Sequence, residues 1–332
     1  MGAGPLLRAC RVGRRGVNPG PDPVTGWLIL DKPRGMGSTQ AVAAVKRVLR
    51  AAGHGKVKIG HGGTLDPLAE GVLPIALGEA TKLAGRMLDA SKVYDFTIRF
   101  GAETDTLDTE GTVVERCERL PTLAEVEAVL PRFTGAIEQV PPAYSALKVD
   151  GKRAYDRARA GETVELATRK VTVLALSVLP GAHSSTLPRH EVTLRAHVSK
   201  GTYIRSLARD IARALETCGH VTYLRRTQAG PFAADQAISL DLLEQIGKGA
   251  ALQDHLLPLE AGLDGIPALD LDRTHAQAAR QGRVLSDQAL PDGLFLARHA
   301  GIPVALMESI GGTAKVVRGF THPLDTAKDD DT

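Results

Sequence analysis

Two segments far apart in the chain alternate apolar and polar side chains with a period of two, and they narrow the possible folds most. In residues 92–100, Tyr94, Phe96, Ile98 and Phe100 fall on one side and Asp95, Thr97 and Arg99 on the other. In residues 191–198, Val192, Leu194, Ala196 and Val198 share one face. Successive side chains of a strand point to opposite faces, so each segment predicts a strand with one buried face. Elsewhere the period is helical. Ile204, Leu207, Ala208, Ile211 and Leu215 form one stripe; Val42, Val45 and Leu49 form another, and Leu123, Val126 and Leu130 a third. GWLIL (26–30) and VLPIAL (72–77) are short apolar runs of the buried-strand kind. The turn 31–35 ends the first, and Ser38 is the expected N-cap of a helix over residues 39–51, with Lys46, Arg47 and Arg50 largely off its apolar face. Strands and helices mix without a regular βαβ rhythm, which predicts an α+β fold with a mixed, largely antiparallel sheet over residues 24–260. After the turn AGLDGIP (261–267), a helix near 273–282 and the runs GLFLA and PVALM mark a small β-rich module over 266–322.

Composition excludes several classes. With 43% hydrophobic and 24% charged residues, the 332-residue chain has material for a sizeable core. No apolar run approaches the roughly 20 residues that a membrane span needs. The net charge of +3 says little about partners, because binding depends on where charge lies. Residues 1–23, with Arg8, Arg11, Arg14 and Arg15 among Gly and Pro, read as a flexible basic tail rather than a secretory signal. Residues 323–332 read as an acidic tail. Cys10, Cys117 and Cys218 form no CxxC pair and are expected as unpaired thiols in a reducing cytoplasm. The ten histidines show no metal-ligand spacing, and GxxxxGK[ST], HExxH and GxSxG are all missing, so no metal and no cofactor are expected.

Three pieces could carry chemistry. His61-Gly62-Gly63-Thr64-Leu65-Asp66-Pro67 sets one acid in a glycine-rich loop, stiffened at its exit by Pro67. A rigid loop presenting one carboxylate suits nucleophilic or general-base work, though the residues alone also fit an ordinary turn. On the helix after Gly201, Arg205, Arg209 and Arg213 follow at i, i+4 on one side, clear of the apolar stripe. One could pair with a buried carboxylate and the others meet phosphates, or all could be a solvated face. Tyr94 is either core or a stacking platform at a pocket edge.

Together these pieces resemble the TruB-type tRNA pseudouridine-55 synthases. GGTLDPLAEGVLPIALGEATK (62–82) is similar to that family's signature loop, GWLILDKPRGMGS (26–38) to its N-terminal motif, and KVYDFTIRFG (92–101) to the segment with its active-site tyrosine. QVPPAYSALKVDGKRAY (139–155), SKGTYIRSLARDI (199–211) and LRRTQAGPF (224–232) match later motifs in family order. The C-terminal segment resembles the small RNA-binding PUA module found in the family.

The resemblance implies a pseudouridine-synthase catalytic domain followed by a PUA-like module, acting as a monomer on the T-arm of tRNA without a cofactor. It places Asp66 as the catalytic carboxylate, Arg205 as the partner that holds it, and Tyr94 against the flipped base. His61 would wedge into the loop that the base leaves, and Lys32, Arg209, Arg213, Arg225 and Arg226 would meet phosphates. A tRNA-binding or folding protein without catalysis is the alternative; the trio Asp66, Tyr94 and Arg205 argues against it. A small-molecule hydrolase is a third, without a second acid to support it.

Overall fold

The computed structural model describes residues 24–321 except 146, 150, 161, 163–165, 181–189, 249–250 and 287–289. The two tails and Cys10 lie outside the described residues. Strand β1 (Gly26–Lys32) leads to helix α1 (Ser38–Ala51), then β2 (Ile59–His61), β3 (Glu70–Leu77), α2 (Ala84–Asp89) and β4 (Lys92–Phe100). A small hairpin, β5 (Ala102–Thr104) and β6 (Val113–Arg116), precedes α3 (Leu123–Val129) and β7 (Gly135–Gln139). The short β8 (Lys148–Val149) and β9 (Lys152–Arg153) precede α4 (Ala154–Arg159), β10 (Arg169–Val178), β11 (Glu191–Val198) and α5 (Ile204–Ala214). Then come β12 (Gly219–Ala229), β13 (Phe232–Ala233) and α6 (Leu240–Gly247). The C-terminal part holds β14 (Ala268–Asp270), α7 (Arg273–Arg280), β15 (Leu285–Ser286), β16 (Gly293–His299), β17 (Ile302–Ile310) and β18 (Thr313–Gly319).

The main sheet runs β1-β3-β12-β4-β11-β10-β7, with β2 beside β3 and β13 beside β12. All its pairs are antiparallel except β12 with β3. The two period-two segments are neighbours in it: Val192 faces Ile98, Leu194 faces Phe96 and Ala196 faces Tyr94. Phe96, Ile98, Leu194, Ala196 and Val198 are buried beneath Leu207, Ala208 and Ile211 of α5 in one core. Burying a Leu, Ile or Phe is worth about 1.5–3 kcal/mol, so this face fixes the register of both strands. On the other face, Thr97 and Thr193 share a hydrogen bond of 2.9 Å, and Arg195 forks onto Asp95 at 2.7 and 2.8 Å. These are residues directly opposite one another, the cross-strand pairs that stabilise a sheet.

The second sheet, β14-β16-β17-β18-β15, forms the β-rich C-terminal module. Phe295, Ala305 and Met307 pack inside it against Ala276 and Ala279 of α7. Leu296, Leu306 and Phe320 turn the other way, onto Trp27, Phe232, Leu259 and Leu263. The Trp27 indole N–H donates to Leu259 O at 3.1 Å, and a Cβ on Gly262 would come within 2.6 Å of the indole ring, so the AGLDGIP turn needs glycine there.

Two sequence expectations fail here. Ser38 is not the N-cap of α1; Gly37 holds that position, with its N–H bound to the Gln40 side chain at 2.8 Å. The Ser38 hydroxyl is drawn across to Leu65 instead. Nor are all the cysteines unpaired: Cys117 and Cys218 form a disulfide across 101 residues, with Cα atoms 5.8 Å apart. Both segments meet at Gly101, whose carbonyl accepts from Cys117 N–H and whose N–H donates to Cys218 O. Spacing rules see cysteines close in sequence, and this pair is made by tertiary structure. Among the described residues, no helix is long and apolar enough to cross a membrane.

Candidate active site

The loop between β2 and β3 carries Asp66 and is tied down from four sides. The Ser38 hydroxyl accepts from Leu65 N–H at 2.8 Å and donates to Leu65 O at 2.9 Å. Gly35 N–H donates to Pro67 O at 2.7 Å, and Gly62 N–H to Pro74 O at 2.8 Å. The fourth tie is Arg226. It is 1% exposed and donates to Gly63 O, Thr64 O and Val72 O at 3.1, 3.3 and 2.7 Å. Gly71 lets that strand approach: its φ is +99°, and a Cβ there would sit 2.3 Å from Arg226 O. A loop whose carbonyls are bound in this way presents its acid with little freedom to wander.

Asp66 projects into a cleft of about 590 Å³, lined also by Tyr94, Lys92, Tyr203, Arg205 and Leu224. Its carboxylate, 41% exposed, accepts from Arg205 Nη2 at 2.7 Å. Arg205 itself is buried. Its Nη1 donates to Asp108 Oδ2 at 3.1 Å and to Thr106 O at 2.9 Å, and its Nη2 also reaches Tyr144 O at 3.0 Å. One guanidinium thus bridges an accessible carboxylate and an inaccessible one, since Asp108 is 3% exposed. Asp108 is fixed in turn: its Oδ1 accepts from the Thr106 hydroxyl at 2.6 Å and Glu110 N–H at 2.9 Å. Leu107 between them has a φ of +62°, an uncommon geometry for a branched side chain, and the tight turn it makes carries Asp108 inward.

The cations expected at phosphates are placed otherwise. Lys32 is fully buried; its ammonium donates to Pro33 O and Met36 O at 3.0 and 2.6 Å. Burial lowers its pKa to about 8, with the nearby Asp66 opposing and Arg226 reinforcing that shift. Arg226 is equally withdrawn. Both side chains donate to backbone carbonyls in and beside the segments that frame Asp66. Arg225 is paired to Asp31 at 2.8 Å and Glu70 at 3.3 Å, Arg209 to Asp210 at 2.8 Å and Arg213 to Glu103 at 2.9 Å. His61 lies on β2, opposite Ile75, outside the residues lining the cleft. Burial and then Arg226 lower its pKa below the usual histidine range, so the ring is neutral at pH 7.

Four further residues complete the site without having stood out in the sequence as site residues. Asp108 had no local signal, and the signal at Ser38 pointed to a helix end, since the partners of both are distant in the chain. Lys92 caps the end of α2, donating to Met87 O, Leu88 O and Ala90 O at 2.9, 2.8 and 2.6 Å, with its pKa brought down by burial to about 8. Tyr203, just before Arg205, lines the cleft with the Arg169 guanidinium 5.8 Å from its ring centre, and burial raises its pKa. Among the described residues, no cluster of three or more His, Cys, Asp or Glu could hold a metal ion.

Residues 46–204 match the model for the TruB family pseudouridylate synthase N-terminal domain, and 205–264 that for the tRNA pseudouridylate synthase B C-terminal domain. The chain is 65% identical over 297 residues to tRNA pseudouridine synthase B of Novosphingobium aromaticivorans, covering 90% of this chain and 97% of that one. It is 55% identical to the enzyme of the same name from Zymomonas mobilis, over 92% and 99% of the two chains. Among solved structures it resembles a chain of an H/ACA RNP bound to a substrate RNA containing 2'-deoxyuridine, with a TM-score of 0.65, 26% identity, and coverage of 90% and 85%. The chain belongs to the TruB family of tRNA pseudouridine synthases, isomerases that act on RNA.

Proposed function

We propose that the protein isomerises a uridine in the T-arm of tRNA and that Asp66 performs the chemistry. One observation carries this: a half-exposed carboxylate on a rigid loop, held at 2.7 Å by a buried arginine, opens into a cleft of about 590 Å³. That volume suits one extruded nucleotide, within the usual range of roughly 300–1,000 Å³ for small-ligand pockets. A base stacked in a folded loop must leave its stack first, at a cost of a few kcal/mol. In the reaction the N1–C1′ bond breaks, the uracil turns, and a C5–C1′ bond forms. N1 gains a proton and C5 loses one, so the sum is redox-neutral and requires no cofactor.

Each side chain then has a role set by its position. Asp66 attacks C6 or C1′, or removes a ribose proton. Arg205 fixes the angle of that carboxylate, because its other nitrogen is anchored to Asp108. Tyr94, on the wall of the cleft, stacks on the flipped base. His61, neutral and outside the cleft, fills the space that the base leaves in the RNA loop. The C-terminal module over 266–322, resembling PUA, contributes RNA binding.

The test is Asp66→Asn, nearly isosteric but unable to act as an anionic nucleophile or base. Tritium release from C5-labelled uridine in T-arm RNA should fall below detection, while RNA affinity changes by at most about tenfold, roughly 1.4 kcal/mol. Mass spectrometry should check for deamidation. Full activity in a verified Asn variant removes Asp66 from its role, and an intact wild-type protein that binds tRNA without isomerising it restores the pure binder.

A further inference from the structure

The basic residues expected at phosphates are buried or paired to acids, which leaves the location of the RNA-binding charge open. From residue 33 to residue 65 the chain has no Asp or Glu, yet it carries Arg34, Lys46, Arg47, Arg50, Lys56 and Lys58. The fold puts most of these on one surface. In α1, Ala41, Val45 and Leu49 are buried, whereas Gln40, Ala43, Lys46, Arg47 and Arg50 are exposed along the outer side. Lys56 and Lys58, in the loop that follows, are exposed as well. Among the described residues, none of Lys46, Arg47, Arg50, Lys56 and Lys58 forms an ion pair or a side-chain hydrogen bond.

This face is joined to the active site. A second cavity of about 590 Å³ is framed by Arg34, Gly35, Gln40, Ala43 and Arg47. Its floor at Gly35 is the backbone that binds Pro67 O, one residue from Asp66. Arg34 reaches from its rim to the Thr109 hydroxyl at 2.9 Å, beside the Asp108 that anchors Arg205. From that rim the cations follow α1, whose 14 residues extend about 20 Å away from the catalytic loop. Neighbouring acids do not neutralise the stripe. Asp31 is held by Arg225, Glu110 lies beyond Thr109, and Glu244 of α6 shares the groove on the other side of α1 with Arg47 without pairing to it.

We infer that the outer face of α1, with Arg34 at its head, is a binding track for the phosphate backbone of the substrate RNA, receiving the strand as it leaves the active-site cleft. The inference rests on the tRNA substrate proposed above. Small Ala43 lets a backbone lie close, while arginines and lysines reach phosphates without reading bases, so recognition along the track is independent of sequence. A continuous positive surface from Arg34 to Arg50 would also steer a polyanion toward Asp66.

The experiment is tRNA binding and turnover against salt for wild type and for Lys46→Gln/Arg47→Gln/Arg50→Gln. Each cation that meets a phosphate should add about 0.7–0.9 to the log–log salt slope. The triple variant should lose about 2 to 3 from the slope and bind about a hundredfold more weakly at 0.1 M salt, with the loss in turnover falling on KM. Lys46→Arg/Arg47→Lys/Arg50→Lys should keep the wild-type slope. If the Gln triple fails to fold, Arg47→Gln/Arg50→Gln should lose about 1.5. An active wild-type enzyme whose Gln variant keeps slope and affinity overturns the track and leaves the face to an acidic protein partner. An inactive wild type with the slope change intact would sink the proposed reaction and not the track.

Discussion

Helices α1 and α5 each carry three cations clear of their apolar stripes, and the fold treats them in opposite ways. On α5, Arg205 binds Asp66 and Asp108, Arg209 binds Asp210, and Arg213 binds Glu103. On α1, Lys46, Arg47 and Arg50 face solvent in a stretch with no acid. Both sets lie clear of an apolar helical stripe, so sequence pattern alone cannot tell a positioning arginine from one free to meet a polyanion. What separates them is which acids the fold brings near. The cations of α5 set geometry inside the molecule, and those of α1 are left for a partner.

The largest expected effect comes from breaking the inward set at its centre. Arg205→Met keeps the bulk and removes the charge. Asp108, 3% exposed, would then lose its cation, and stranding a buried charge in this way costs about 3–5 kcal/mol. Urea unfolding should show that loss, and tritium release should fall below detection because Asp66 loses its anchor. Unchanged stability would mean that Thr106 and the Glu110 N–H suffice to hold Asp108, and the contrast between the helices would weaken.

A smaller effect follows from Lys32 of β1, a cation buried, like Arg226, away from solvent. Its folded-state pKa of about 8 lies below the unfolded value of 10.5. Between those values the unfolded chain holds a proton that the folded chain has released, so folding stability rises with pH there. Lys32→Met lacks this contribution. The stability of wild type minus that of the variant should therefore grow from pH 8 to pH 10, by at most about 1.4 kcal/mol per pH unit. Urea midpoints across that range check it. A difference that is flat or falls with pH would show that the ammonium is solvated rather than buried.

This contrast also marks what could be read in the sequence. The strands 92–100 and 191–198 were legible because one face of each is buried, and burial writes a period of two into the residues. The α5 stripe was legible for the same reason. The cluster at Asp66 was legible through motifs, and its pairing with Arg205 joins residues 139 apart in the chain. Asp108 left no trace, since an acid in a turn looks alike whether it is solvated or clamped under an arginine. Ser38 misled because its hydroxyl could serve a helix end or another loop, and only the packed fold brings Leu65 within 2.8 Å. The burial of Lys32 and Arg226 was not legible either, since a cation in a motif reads the same whether it faces solvent or, as here, is enclosed among backbone carbonyls.

The smallest expected effect tests the comparison most directly. Arg213 is 58% exposed, more open than Arg205 or Arg209, yet it is bound to Glu103, which is 10% exposed. If exposure decided RNA binding, Arg213→Gln should lower the salt slope as much as Arg50→Gln does. If pairing decides it, Arg213 is already neutralised and the slope should stay within about 0.2 of wild type, against a loss of about 0.7–0.9 for Arg50→Gln. Gln keeps an amide that can donate to the buried Glu103, so the cost in stability should stay below the about 3–5 kcal/mol of leaving a buried charge without a partner. Both variants should be measured on one tRNA preparation over the same salt range. Equal slopes would erase the distinction between the two helices, because an ion pair that RNA displaces freely leaves Arg213 as available as Arg50.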